Sequence, residues 1–395
     1  MGCSVGAQRG HHIQAGGAVR RKENPETCGE RHDERARQCA RASLDLARKS
    51  GDSSAVFHAL LSKQASLRIP EDLDAAIELA SEAVDLATML RGPTRVLSAY
   101  EARIPLLFLR GDLAAADTDI AAAEAIANRI GSPAHLYAVK RFVLARALGD
   151  ARLDDVAELA PSVMALGEQI GDEGARHAAD QVAFFLGAAS GELCRHPASF
   201  GPLDEKADEK PAVSAYFYLL SGDLDRCRQA FERAAQIGFA EVRRCEDGWL
   251  WHLCGCADVA ATFGDRERAA VLYELIAPHA HVNVMNRLYI YRGSAAGVLG
   301  RLAHLLGRRQ EARALLEDAL EFNQRIGNAP SVVWVKVLLA QVLRAGSSRE
   351  RKRSEKILAR LPEEAATVGL GSLIAAVVSD LPPVPNRTRP RRRGV

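Results

Sequence analysis

Apolar residues recur three and four positions apart along most of the chain from about Glu34 onward. Positions spaced in this way lie on one face of an α-helix. The clearest stripes are Cys227, Ala230, Phe231 and Ala234; Ala269, Leu272, Tyr273 and Ile276; and Ala312, Leu315, Leu316, Ala319 and Leu320. The pattern predicts a series of amphipathic helices, and no segment has the alternation that would indicate a convincing strand.

A Gly-Asp turn separates many of these stripes. It occurs at Gly111-Asp112, Gly222-Asp223 and Gly264-Asp265, and less clearly at Gly149-Asp150. Glycine supplies the left-handed residue that ends one helix, and aspartate accepts from the free amides at the start of the next. A further copy has Arg308 after Gly307, so the helix that follows is predicted to begin without a side-chain cap.

A second signal, the dipeptide Ile-Gly, marks the C-terminal ends of predicted helices. It occurs at Ile130-Gly131, Ile170-Gly171, Ile237-Gly238 and Ile326-Gly327. Gly131 and Gly171 are 40 positions apart, and Gly264 and Gly307 are 43 apart. Two helices for every 35 to 45 residues or so are typical of stacked helical repeats. The sequence therefore predicts an all-α fold, an α-solenoid of seven or eight stacked helix hairpins resembling tetratricopeptide repeats.

The repeats suggest five segments. Residues 1–33 are predicted to be disordered, 34–190 to form an N-terminal sub-array, and 213–381 a C-terminal sub-array. Residues 191–212 contain Pro197, Pro202 and Pro211, which exclude a long helix and predict an irregular joint. Residues 382–395 are predicted to be a disordered basic tail.

Composition supports a helical fold, because Ala and Leu dominate and aromatic residues make up only 5%. The net charge of +2 argues against a nucleic-acid coat, and only the tail is strongly basic, with Arg387, Arg389, Arg391, Arg392 and Arg393. Eight scattered cysteines indicate reduced thiols, and neither a signal peptide nor an apolar run of about 20 residues is present. We therefore expect a cytoplasmic protein without a membrane partner.

Motifs for catalysis are missing from the sequence. The dipeptide Gly-Lys of a phosphate-binding loop does not occur, nor do HExxH and GxGxxG. The hydrolase-like Gly2-Cys3-Ser4-Val5-Gly6 has no room for a preceding strand. His252, Cys254 and Cys256 point in different directions on a helix, and His279, His281 and Asn283 are read as a solvated loop. We predict no catalytic residues, no metal and no cofactor.

A group of aromatic residues is the clearest candidate for a binding site in the sequence. Trp249, Trp251 and Tyr273 are predicted to pack between helix pairs. The residues predicted to bind a partner are Tyr289, Tyr291, Arg292, Arg287 and His281, because aromatic side chains and arginine are favoured as binding anchors. The helical spacing of Gly293, Gly297 and Gly300 predicts a close approach of two helices.

The segments Gly248–Ala257 and Phe263–Ala280 resemble the tetratricopeptide-like C-terminal region of large bacterial signalling ATPases, such as LuxR-type regulators and class III adenylate cyclases with an AAA-like module. The resemblance extends through Gly307–Gly327 and back to Ile69–Ala87, over about residues 40–345. It implies a helical-repeat region whose catalytic or DNA-binding domains lie elsewhere. Met285–Tyr291 departs from the family, where a Gly-rich run is usual.

Two functions are consistent with these observations. The first is a non-catalytic scaffold or regulator that binds a protein or peptide on the concave face of the array. The alternative is a sensor or autoinhibitory arm that acts on a separate ATPase or cyclase subunit, or a fragment of such a regulator. Nucleic-acid binding through the arginine tail is a third, weaker hypothesis.

Overall fold

Helices make up almost the whole fold. This computed structural model describes residues 25–172, 210–245, 248–286, 289–371 and 374, with the backbone alone for 25–33 and 243–245. The helices are α1 (Pro25–Ser50), α2 (Ser53–Ala65), α3 (Leu73–Met89), α4 (Pro93–Arg110), α5 (Leu113–Ile130), α6 (Pro133–Gly149), α7 (Leu153–Gln169), α8 (Pro211–Leu220), α9 (Leu224–Ile237), α10 (Phe239–Cys245), α11 (Trp249–Phe263), α12 (Arg266–Ile276), α13 (Ala295–Leu305), α14 (Arg309–Arg325), α15 (Ala329–Arg344) and α16 (Ser348–Ala366). The predicted all-α class is confirmed.

Neighbouring helices pack in chain order, as a serial arrangement of helix hairpins requires. From α1 to α7, and again from α13 to α16, each helix packs on the next. The helices α3 and α5 each have a solvent-exposed face, whereas α4, α6 and α13 are buried or half-buried along most of their length. We call the second group the inner helices, because they are the more buried.

The Gly-Asp turns are built as predicted at three of their sites. Gly111 and Gly264 are left-handed, with φ of 76° and 67°. The side chains of Asp112, Asp223 and Asp265 each accept a backbone N–H from the residue three positions later. Arg308 makes no side-chain cap, as expected. The Ile-Gly signals also lie at helix ends, where Gly131, Gly171, Gly238 and Gly327 all have positive φ.

The capping role of Asp265 gives a direct test of this turn chemistry. Its Oδ1 accepts the Arg268 N–H at 3.0 Å. Asp265→Ala removes that bond and is expected to lower the free energy of unfolding by about 1 kcal/mol. Asp265→Asn keeps an acceptor oxygen and should lose less than half as much. Urea denaturation of both variants measures the difference, and equal losses would contradict the capping role.

The Gly149-Asp150 turn was predicted wrongly. Helix α6 continues through Gly149, and the left-handed residue is Ala151, with φ of 57°. Gly149 serves a different purpose, because a Cβ atom there would overlap the ring and hydroxyl of Tyr291. The glycine is needed for close packing between distant segments rather than for the turn.

Two short strands correct the prediction that the chain has none. Strand β1 (Asn283–Met285) pairs antiparallel with β2 (Tyr291–Ser294), so that Asn283 lies opposite Ser294 and Met285 opposite Tyr291. Strands of three and four residues are too short to show an alternating pattern. The hairpin follows a 3₁₀ turn (Ala277–His279), where the sequence suggested a solvated loop.

Segment boundaries agree only in part with the prediction. Helix α1 begins at Pro25, so 25–33 is helical where disorder was predicted. The helix was not predicted because residues 25–33 are polar and have no apolar stripe. Pro25 was the one favourable signal, since proline suits the first position of a helix. Pro211 likewise begins α8. Residues 1–24, most of the joint 191–212 and the tail 382–395 lie outside the described residues.

Candidate interaction surface

The β-hairpin connects the two halves of the chain. Strand β1 packs on α4 and α11, while β2 packs on α6, α13 and α14. The hairpin is thus inserted between inner helices that are more than 100 residues apart in sequence. Its buried residues Val282, Val284 and Ile290 belong to the main hydrophobic core, which contains residues from both halves.

Buried amides fix the base of the hairpin. Asn283 is fully buried, and its Nδ2 donates to the backbone oxygen of Phe108 at 3.0 Å. On the other strand, the Ser294 N–H donates to Asn323 Oδ1 at 2.9 Å. Hydrogen bonds that satisfy enclosed polar groups are costly to break. These two bonds therefore fix the position of the hairpin against α4 and α14.

Tyr291 is buried rather than exposed to a partner. Its ring centroid lies 5.7 Å from that of Phe108, and its hydroxyl accepts from Arg146 Nη1 at 2.7 Å. Arg146 Nε also pairs with Asp117 Oδ1 at 2.6 Å. Burial raises the pKa of Tyr291 to about 12, because the phenolate would lose its hydration.

Tyr291→Phe tests this anchor. The change removes a hydrogen bond from a charged donor and is expected to cost about 1.5–3 kcal/mol at pH 7. Because the folded pKa exceeds the unfolded value, neutral Tyr291 contributes stability below pH 10 or so that is lost as pH rises towards 12. Denaturation from pH 8 to 12 should show a smaller alkaline loss for the variant than for the parent. Parallel curves would contradict this assignment.

Arg292 forms a charged cluster in the interior. Its guanidinium pairs with Asp258, whose Oδ1 also accepts from Arg301 Nη1 at 2.7 Å. The Arg292 guanidinium lies 5.1 Å from the ring centroid of Tyr216 and 5.6 Å from that of Trp251. Arg292 is therefore held by an ion pair and two aromatic rings of its own chain, although the sequence suggested a partner contact, and its enclosed Nη1 has no hydrogen-bond partner in the described part of the chain.

Beside the tip of the hairpin, Tyr289 is the described residue that is partly accessible. Tyr289 is half-buried and has φ of 65°, a left-handed conformation that is uncommon for a bulky residue. Its ring lies 4.7 Å from that of Phe142. The Arg141 guanidinium stands 4.9 Å from the rings of both Tyr137 and Tyr289, and its Nη2 lies 3.2 Å from the Tyr289 hydroxyl.

Incompletely satisfied polar groups lie on the inner helices beside the tip. Glu101 Oε1 is enclosed, and His135 Nδ1 lies 3.7 Å from it, beyond hydrogen-bond length. Burial raises the pKa of Glu101. Arg141 Nε is also enclosed without a hydrogen-bond partner in the described part of the chain. We call Glu101, His135, Tyr137, Arg141 and Tyr289 the tip cluster.

Sequence reasoning identified one member of the tip cluster and missed four. Glu101, His135, Tyr137 and Arg141 lie on α4 and α6, about 150 to 190 residues before Tyr289, and no local motif marks them. Of the other predicted partner residues, His281 is exposed, and Arg287 lies outside the described residues.

The remaining aromatic and metal predictions can now be placed. Trp249, Trp251 and Tyr273 are buried, which confirms their predicted packing role. Gly297 and Gly300 lie against α15 and α14 side chains, as the predicted close approach requires. His279 is buried, with its ring 5.1 Å from Trp249. Within the described ranges, no three His, Cys, Asp or Glu side chains are placed to hold a metal ion.

A scan of this chain against protein-family models and a search of curated proteins both find no match. Among the described residues, every helix is either too short or too polar to cross a membrane.

Proposed function

We propose that this chain is a non-catalytic interaction module, and that a protein partner contacts the tip cluster. The observation that carries the proposal is the left-handed backbone of Tyr289 together with two enclosed atoms, Glu101 Oε1 and Arg141 Nε, that lack a hydrogen-bond partner in the described part of the chain. Strained residues and unsatisfied polar groups persist where function requires them. Because both atoms are enclosed, a partner that supplies a hydrogen-bond donor to Glu101 and an acceptor to Arg141 must first open the cluster.

The position of the tip cluster on the inner helices supports this proposal. Inner helices α4 and α6 already hold an extended segment of the chain itself, through Asn283 and Tyr291. Serial helix pairs commonly bind extended segments on their inner side. Cys227, Cys254 and Cys256 are buried and form no disulfide among the described residues, which supports a reducing compartment and hence a cytoplasmic location.

Site-specific photo-crosslinking in the native cell tests the proposal. A benzophenone amino acid replaces His135 or Tyr289 of the tip cluster, both half-buried, or Met89 on α3, where the side chain is 72% exposed. We expect one adduct of the same mass from both tip positions and none from position 89. Adducts that are equally abundant at all three positions, or absent from the tip, would refute the proposal.

The cross-linked partner also separates the two functions. A P-loop ATPase or a cyclase would make the chain a regulatory arm, whereas another protein would make it a scaffold. Arg141→Gln should weaken binding of the purified partner by about tenfold, because a charged hydrogen bond contributes roughly 1.5–3 kcal/mol. Calorimetric titration measures this effect, and an unchanged helical circular dichroism spectrum shows that the variant is folded.

A further inference from the structure

Helix α16 closes the C-terminal end of the described array. It begins with a capping box in which Ser347 and Glu350 satisfy each other's backbone amides. Ser354, Leu361 and Ala365 are buried on one face, and Val333, Val337, Leu361 and Ala365 share a hydrophobic cluster. The opposite face of α16 is turned to solvent along its whole length.

Between positions 349 and 360 one arc of that face carries only basic residues, while the exposed Glu355 lies beside the arc and Glu363 follows it one turn after Arg360. We call these basic residues the basic stripe: Arg349, Lys352, Arg353, Lys356 and Arg360, all of which are exposed. At 3.6 residues per turn, the five side chains fall within an arc of roughly 100°, and they extend over about 16 Å of the helix. Five basic residues in one arc give this part of α16 a local excess of positive charge.

Most side chains of the basic stripe are not paired with a carboxylate within the described residues. Arg353 pairs with Glu317 on α14, but within the described residues the other four members make no ion pair. The carboxylate of Glu350 is turned away towards Arg309 and Arg313, with its Oε1 3.2 Å from each guanidinium. These two arginines line an adjoining surface groove of about 270 Å³.

The opposite end of the array shows what a merely solvated terminal helix looks like. On α1, Arg41 is followed one turn later by Asp45 on the same exposed face. Arg48 on that helix pairs with Glu82 at 2.7 Å. The first helix therefore alternates its charges over this stretch and uses Arg48 internally, whereas positions 349–360 of α16 gather five basic residues in one arc, four of which make no ion pair within the described residues.

We propose that the basic stripe binds the phosphate backbone of nucleic acid. Phosphates of one DNA strand repeat every 3.4 Å or so along the axis, so about 16 Å of helix faces roughly five of them with four unpaired cations and Arg353, which pairs with Glu317. The near-zero net charge of the chain does not oppose this contact. Charges farther away than about 8 Å are screened at physiological salt, and the local stripe dominates. Such contacts are independent of base sequence.

Fluorescence anisotropy with a labelled 20-base-pair DNA duplex tests the proposal. We expect binding at 50 mM salt that weakens steeply as salt is added. Lys352→Gln/Lys356→Gln/Arg360→Gln should reduce affinity at least tenfold and flatten the log–log salt slope by roughly 3, as expected from three lost phosphate contacts. The matched control is Arg41→Gln/Lys49→Gln/Arg129→Gln, which removes the same charge from exposed positions elsewhere and should stay within about twofold of the parent.

Three results would overturn the proposal. Equal losses in the two triple variants would show an effect of total charge alone. Tighter binding of a poly-glutamate peptide than of the duplex, at equal salt, would assign the basic stripe to an acidic protein. Binding that disappears when residues 386–395 are deleted, but not in the α16 triple variant, would assign it to the arginine tail. Photo-crosslinking at the tip cluster is independent of all three results.

Discussion

Asp258→Asn is expected to lower the free energy of unfolding by about 3 kcal/mol at pH 7. Asp258 is the single carboxylate between Arg292 and Arg301, and its side chain is only 11% exposed. Removing one member of a buried ion pair leaves an uncompensated charge, which typically costs about 3–5 kcal/mol. Partial exposure of both arginines favours the lower end of that range. Urea denaturation followed by circular dichroism measures the loss.

The control for this prediction is Asp318→Asn on α14, an exposed position whose substitution should change stability by less than about 0.5 kcal/mol. Adding Arg301→Gln to Asp258→Asn should recover part of the loss, because one of the two uncompensated guanidiniums is removed. Equal effects at Asp258 and Asp318, or an additive double variant, would contradict the role of Asp258 as a shared counter-ion.

The same cluster predicts a dependence on pH. Burial alone would raise the pKa of Asp258, but Arg292 and Arg301 outweigh it and hold the pKa below its usual value. A carboxylate with a lowered folded pKa contributes stability above its unfolded pKa, near 4, and that stability is lost as pH falls through the folded value. The difference between the parent and Asp258→Asn should therefore shrink in acid. A constant difference from pH 7 to pH 2 would contradict this coupling.

Gly149→Ala is expected to lower the free energy of unfolding by about 2 kcal/mol, although alanine normally stabilises a helix relative to glycine by about 0.5–1 kcal/mol. The added Cβ would overlap the Tyr291 ring. That ring cannot simply move away, because it is buried, packs against Phe108 and accepts a hydrogen bond from Arg146. Thermal and urea denaturation of the variant measure the loss.

A double-variant cycle isolates the cause. In a Tyr291→Ala background the obstacle is gone, so Gly149→Ala should become neutral or stabilising through its helix propensity. If Gly149→Ala destabilises the protein equally in both backgrounds, the close contact between α6 and β2 is not responsible. A loss of helical signal in the single variant at low temperature would instead indicate that the two halves fail to pack.

The candidate surface was only partly visible in the sequence. Tyr289 could be suspected from aromatic and arginine composition, but its neighbours Glu101 and Arg141 come from helices about 150 to 190 positions away. The same aromatic signal also marked Tyr291 and Arg292, which the fold turns inward. Composition shows which side chains can bind, whereas long-range packing decides which of them remain accessible.

By itself, the sequence determined the local structure of this protein. Stripes at helical spacing specify the helices, and Gly111 and Gly264 with their following aspartates specify the turns, because these features depend on residues within a few positions of each other. Only the tertiary structure decided that Gly149 makes room for a distant tyrosine, that a short hairpin joins the two halves, and that the charges of α16 face solvent. These features depend on contacts between segments far apart in the chain, for which the sequence carries no local signal.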